Sequence, residues 1–202
     1  MQGFLEYTFY LLASFLAVTV VLTLHEFAHA FVAYKCGDFT PKANGRLSLN
    51  PLRHFDVLGL CLFAVAGFGW AKPVPINPNN FRHYRRGLAM TALAGVVMNY
   101  LTAFLFYPLL LLAAGLSGGW GAVLLTDFTY YLFAYSVSFF VFNLIPLPPL
   151  DGSNVLQELF PGVKRFYFSF RRYAAPLLFL LLLTGILRVP LNWINNQILN
   201  GM

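Results

Sequence analysis

Charge is what this sequence has least of. Acidic and basic side chains together make up 10% of its 202 residues, against about 25% in a soluble domain. A water-soluble globule is therefore excluded, and so is a disordered chain, which needs low hydrophobicity and high charge. Cysteine is nearly absent. Cys36 and Cys61 are the only two, too few for a disulfide framework and without the CxxC spacing of a thiolate metal site, so free thiols are expected. Histidine is scarce as well, at four residues, which excludes a lipid-oxidising di-iron centre with its many histidines. No internal repeat or low-complexity tract is present, so residues 1–202 are expected to form a single domain. Without an inverted repeat, a transporter is disfavoured.

What fills the chain instead is apolar. Hydrophobic residues reach 59% and the mean hydropathy is +0.68. The 22 Phe, 11 Tyr and 3 Trp suit a lipid-facing surface with aromatic belts at its two interfaces. The net charge of +6 would raise the question of nucleic acid in a soluble protein. In a membrane protein, basic residues mark cytoplasmic loops, and no nucleic-acid partner is expected.

Hydropathy predicts an all-α polytopic membrane protein with about four transmembrane helices. The run 7–25 has no Lys or Arg before it, unlike a signal peptide, and reads as a retained span that continues to residue 34 or 35. Residues 35–56 are polar and broken by Gly and Pro, and the alternation at 45–49 suggests a short β-hairpin over 42–50. Residues 57–71 are apolar but number only 15, short of the roughly 20 needed to span; a re-entrant or interfacial segment is expected. Two long uncharged runs follow, giving a helix near 88–116 and another in 128–150. A last span is expected over about 173–193, with Arg188 snorkelling to the interface. If 57–71 dips in and returns, then loops 35–56, 72–86 and 151–172 share one side. That side holds twelve of the thirteen Lys and Arg residues. The positive-inside rule then places these loops in the cytoplasm of a cell-membrane protein, with both termini outside. The basic aromatic stretch 164–172 is expected to rest on anionic lipid headgroups.

Ionisable residues inside a membrane helix are rare and costly, yet the first span carries three of them in the pattern His25-Glu26-Phe27-Ala28-His29. Residues four apart share a helix face, so both imidazoles reach one metal ion, while Glu26 points toward the water that such a metal activates. This HExxH spacing is that of zinc proteases with Glu as general base. The competing reading is a polar cluster that glues helices together, for which Ser, Thr and Asn are the usual residues. A catalytic zinc keeps three protein ligands. Asp151 is a candidate for the third, because it follows the 128–150 run at similar depth to His25 and His29. His54, His83, Asp56 and Glu158 compete for that place, and Asp151 itself also reads as a helix N-cap or turn residue. Asn99 and Asn143 stand inside apolar helices, either as interhelical glue or as groups that hold a substrate backbone or an oxyanion.

HEFAHA in the first span, GWAKPVPIN in the second basic loop, AGVVMN in the next helix and FNLIPLPPLDG after the third resemble the site-2 protease family, peptidase family M50. NPLRHFDVLG and NPNNFRHYRRG resemble its small prokaryotic branch. The resemblance covers roughly residues 20–160. It implies an intramembrane zinc metalloprotease with a core at about 7–160 and one Zn2+ per chain. His25, His29 and Asp151 would be the ligands and Glu26 the base. Asn143, in NxxPxxPLDG, would lie beside the site and hold substrate, and Asn99 would match the asparagine of the middle core helix. The implied partners are transmembrane protein or peptide substrates and membrane lipids. The family often reads GPxxN where this chain has Val96, a change at helix entry. A catalytically inactive scaffold of the same fold is the alternative, disfavoured because a scaffold has no use for Glu26.

Overall fold

A computed structural model describes residues 2–66, 71–116 and 118–184. Seven helices run through it: α1 Gln2–Lys35, α2 Thr40–Ala43, α3 Val57–Ala66, α4 Tyr84–Ala114, α5 Gly119–Leu144, α6 Asp151–Leu159 and α7 Lys164–Leu183. Three of them, α1, α4 and α5, are long and apolar enough to cross a membrane. Their 34, 31 and 26 residues correspond to about 51, 46 and 39 Å, each longer than a hydrocarbon core of about 30 Å. The three pack on one another, and α6 packs on α4 and α5.

These helices are apolar all round, so size rather than polarity decides which face turns inward. On α1 the buried positions are mostly small, among them Ala13, Ala17, Val21, Ala28, Ala30 and Ala33. Bulky Phe4, Leu11, Leu12, Phe15 and Leu16 of α1 and Phe104, Leu105, Leu111 and Leu112 of α4 face outward. Without a hydrophobic force between helices in lipid, association relies on close packing, which small residues permit. Ala17 and Val21 meet Leu132 of α5 at the centre of the bundle, and Ala103 of α4 meets Phe133 and Val137.

The basic loops gather at one end of this bundle. The Arg82 amide donates to the Cys36 carbonyl at 3.0 Å, joining the end of α1 to the approach to α4. Asp38 ties the same two stretches together. Its carboxylate accepts from the Thr40 amide and hydroxyl, the Asn77 amide and Asn80 Nδ2, at 2.6–3.0 Å. Burial alone would raise its pKa; the donors outweigh burial and hold the carboxyl below its ordinary value.

One expectation is overturned. No strand forms over 42–50. Glycine 45 takes a φ of +67°, and the Gly45 and Arg46 amides turn back onto the Lys42 and Pro41 carbonyls. Residues 46–54 then wrap around two buried side chains: His54 Nε2 donates to the Ser48 carbonyl at 2.7 Å, and the Arg46 guanidinium donates to the Lys72 carbonyl. Donors and acceptors spent in these bonds are lost to a ladder. The one β-type contact among the described residues is an isolated antiparallel bridge between Phe55 and Ala71. The fourth span, expected over 173–193, is described only as far as residue 184. Its first part belongs to α7, which starts earlier than expected, at Lys164.

That bridge bears on 57–71. The Lys72 amide donates to the His54 carbonyl at 2.8 Å, so the segment returns to where it left. Helix α3, at 10 residues, is about 15 Å long, half a hydrocarbon core. A segment whose two ends are hydrogen-bonded to each other cannot begin and finish on opposite sides of a bilayer.

Two outcomes are expected. Asp38→Ala strands buried backbone donors and should cost about 3 kcal/mol, read by thermal unfolding in detergent. Burial pushes the His54 pKa down, and the Arg46 charge pushes in the same direction against the Ser48 carbonyl. The stability gained from a neutral His54 is present above the unfolded value of about 6.5 and is lost as pH falls below it. The protection factor of the Lys72 amide, taken relative to its intrinsic exchange rate at each pH, should fall on acidification below that value, and His54→Gln should blunt the fall.

Candidate metal centre

His25 and His29 sit one turn apart on α1, both 7% exposed, and their imidazoles face α4 and α6. Their Nε2 atoms lie 3.0 Å apart. Asp151 Oδ2 lies 3.4 Å from His25 Nε2 and 3.2 Å from His29 Nε2. One ligand atom from each of the three residues falls within 4.8 Å of the others. Asp151 Oδ2 is buried and makes no hydrogen bond in spite of these approaches. A carboxylate oxygen and two imidazole nitrogens converging on one point, with the oxygen unsatisfied in a low-dielectric interior, is a donor set that fits a divalent cation.

The local sequence explains how Asp151 arrives there. Helix α5 stops at Leu144, and the Pro146, Pro148 and Pro149 cluster prevents its continuation. Asp151 is the first residue of α6, where an N-cap role was the rival reading; α6 has no side-chain cap at its N-terminus, and the carboxylate turns to the histidines. Gly152 makes this possible. A Cβ there would run into the Leu144 carbonyl at the end of α5, so only glycine lets α6 begin against α5.

A cavity of about 460 Å³ opens beside the cluster. His25, Glu26, His29 and Asp151 line it together with Val74, Thr91 and Asn143. Pro73, Val74 and Ile76 of the 72–80 loop form part of its wall, and residues 35–56 do not. The Glu26 carboxylate sits on the wall, where Oε2 accepts the Val74 amide at 3.1 Å. Asn143 also faces the cavity, while its Nδ2 donates to the Phe139 carbonyl at 3.1 Å. Asn99 is absent from the lining. It is 1% exposed, and its amide contacts His25 instead.

The four competitors for the third ligand position are all elsewhere. His54 is bonded to Ser48, and His83 precedes the first turn of α4. Asp56 accepts the Gly59 amide at the start of α3. Glu158 pairs with Lys164 at 2.7 Å. Sequence reasoning missed the contribution of α4. Thr91, Gly95 and Asn99 form a stripe at four-residue spacing, and a Cβ on Gly95 would overlap both imidazole rings. The spacing of AGVVMN behind Thr91 was the available signal; the carbonyl of Thr91, which contacts His29, left none.

A model described as peptidase family M50 matches residues 119–185. "Putative zinc metalloprotease YwhC" of Bacillus subtilis (strain 168) is 41% identical over 174 residues, covering 81% of this chain and 77% of that protein. "Putative zinc metalloprotease Rip2" of Mycolicibacterium smegmatis is 31% identical over 169 residues, covering 81% of this chain and 63% of that protein. The protein of the same name from Mycobacterium tuberculosis (strain ATCC 25618 / H37Rv) is 35% identical over 173 residues, again with 81% and 63% covered. No solved structure matches the chain significantly.

Gly95→Ala tests the packing against α4. The added methyl has to displace imidazoles held between two helices. Metal per chain after purification should fall about tenfold or more, with the far-UV helix signal unchanged.

Proposed function

The chain belongs to peptidase family M50, and on that footing we propose that it is an intramembrane zinc metalloprotease, cutting peptide bonds in or near transmembrane segments of membrane proteins. The observation that carries this reading is the convergence of His25, His29 and Asp151 beside Glu26 on the wall of one cavity. A zinc ion held by those three residues supplies a Lewis acid and makes water acidic enough to ionise near neutral pH.

The remaining work falls to the protein's own groups. Glu26 is the general base, taking the proton of the attacking water and passing it to the leaving amine. Its bond to the Val74 amide occupies one of the two carboxylate oxygens and fixes the side chain toward the cavity. Asn143, which also lines the cavity, holds the substrate backbone. Leu22, Val74, Ile76, Phe139 and Phe142 give the cavity an apolar lining, which suits the side chains of a transmembrane segment. His25, Glu26 and His29 lie six to ten residues before the end of α1, about 9–15 Å along the axis, so water reaches them from the end where the basic loops gather. We assign that end to the cytoplasm by the positive-inside rule.

Glu26→Gln separates this reading from that of a silent scaffold. The variant should retain one zinc per chain and lose about 10²–10⁴-fold in cleavage of a transmembrane substrate. Crosslinked in the native cell, it should also accumulate uncut membrane segments. Full biological activity in this variant would instead make the protein a scaffold. Orientation is checked by thiol labelling. In a background lacking Cys36 and Cys61, Leu52→Cys should react with an impermeant maleimide only after the cytoplasmic face is opened.

A further inference from the structure

The two histidines differ in what holds their second nitrogen. His29 Nδ1 lies 2.7 Å from the Thr91 carbonyl of α4. A carbonyl only accepts, so His29 Nδ1 carries the proton and Nε2 presents a bare lone pair toward Asp151. His25 also approaches the Gly95 carbonyl of α4, but no carbonyl lies as close to its Nδ1 as Thr91 does to that of His29. His25 Nδ1 lies 3.0 Å from Asn99 Nδ2, two helical turns along the same face of α4. An amide, unlike a carbonyl, serves either tautomer. With Nδ2 donating, His25 Nδ1 is the acceptor and its proton sits on Nε2, aimed at Asp151, where it blocks ligation. In that orientation Asn99 Oδ1 is also left buried without a partner. A half-turn of the amide brings Oδ1 to His25 Nδ1. It then accepts the Nδ1 proton and frees Nε2, matching His29.

We propose that Asn99 is a positioning residue for His25: its amide oxygen accepts the Nδ1 proton and holds the tautomer and ring orientation in which Nε2 faces the cation. This rests on the metal site proposed above. It departs from the substrate-holding role first expected of Asn99, which is fully buried and does not line the cavity. It also departs from simple interhelical glue, because the contact is made to a ligand atom's own ring. Partners of this kind orient metal-bound histidines and raise their basicity, and losing one weakens metal binding about 10–100-fold.

The test is zinc affinity, measured by chelator competition on the full chain in detergent. Asn99→Leu keeps the volume and removes the acceptor. Zinc should bind about 10–100-fold more weakly, with helix content and thermal midpoint retained. Asn99→Asp keeps an acceptor and should hold zinc at least as tightly as the unaltered protein. If Asn99 served packing alone the order would reverse, since leucine suits an apolar helix contact and a buried carboxylate does not. Binding by Asn99→Leu within twofold of the unaltered protein, or weaker binding by Asn99→Asp than by Asn99→Leu, overturns the assignment. Should either variant fail to fold, ¹⁵N spectra of the zinc-loaded, histidine-labelled protein still decide. His25 and His29 should both show a protonated Nδ1, and a proton on His25 Nε2 refutes the proposal. An unaltered protein that binds no zinc would reject the metal site itself, a result distinct from failure of Asn99 alone.

Discussion

Every polar group placed inside this bundle must find its partner within the bundle, because lipid offers none. That constraint governs the site and what surrounds it. Two imidazoles and a carboxylate would be expensive passengers in an apolar core. They are tolerated because they face one another and because α4 takes up the outward nitrogen of each ring. The unsatisfied oxygen of Asp151 is the exception, and it marks the place where the protein alone does not complete the set. The other requirements follow in turn. Small residues on α1 bring the helices close, Gly95 makes room for the rings, and Gly152 lets α6 start hard against the end of α5.

Outside the bundle the same economy of polar groups appears in a different form. The loops at the basic end are irregular in backbone yet closely bonded. Asp38 gathers donors from both sides of α4's approach, and Arg46 and His54 hold the residues next to the stretch that clasps Glu26. Irregular chain at membrane depth is permitted where it is buried in protein or lines a cavity. The Pro73–Ile76 stretch does the second. Glu26, the base proposed above, is thus placed by main chain, a firmer support than a long side chain would provide.

Much of this was legible in the residues. The HExxH spacing pointed to His25, Glu26 and His29, which the fold gathers at one cavity, because helical periodicity converts a four-residue interval into a shared face. The uncharged runs located three long helices, since lipid makes hydropathy nearly decisive. Asp151 was harder. Depth alone left four rivals open, and the order of motifs pointed to it only through resemblance. What escaped was non-local or carried by main chain. The Thr91 carbonyl has no signature in a sequence. Alternation at 45–49 suggested a strand, but Arg46 and His54 draw that segment into local bonds that outcompete pairing. Asn99 stood open between a substrate contact and interhelical glue because its type was visible and its neighbour, 74 positions away in the chain, was not.

The hydrogen bond between the Lys72 amide and the His54 carbonyl and the bridge between Phe55 and Ala71 tie both feet of the intervening chain together, a noose with its knot. Ala71 also lines the cavity, so the knot is part of the wall. A pull on the noose is felt first at that wall, two residues from Pro73 and three from Val74, the residue whose amide holds Glu26.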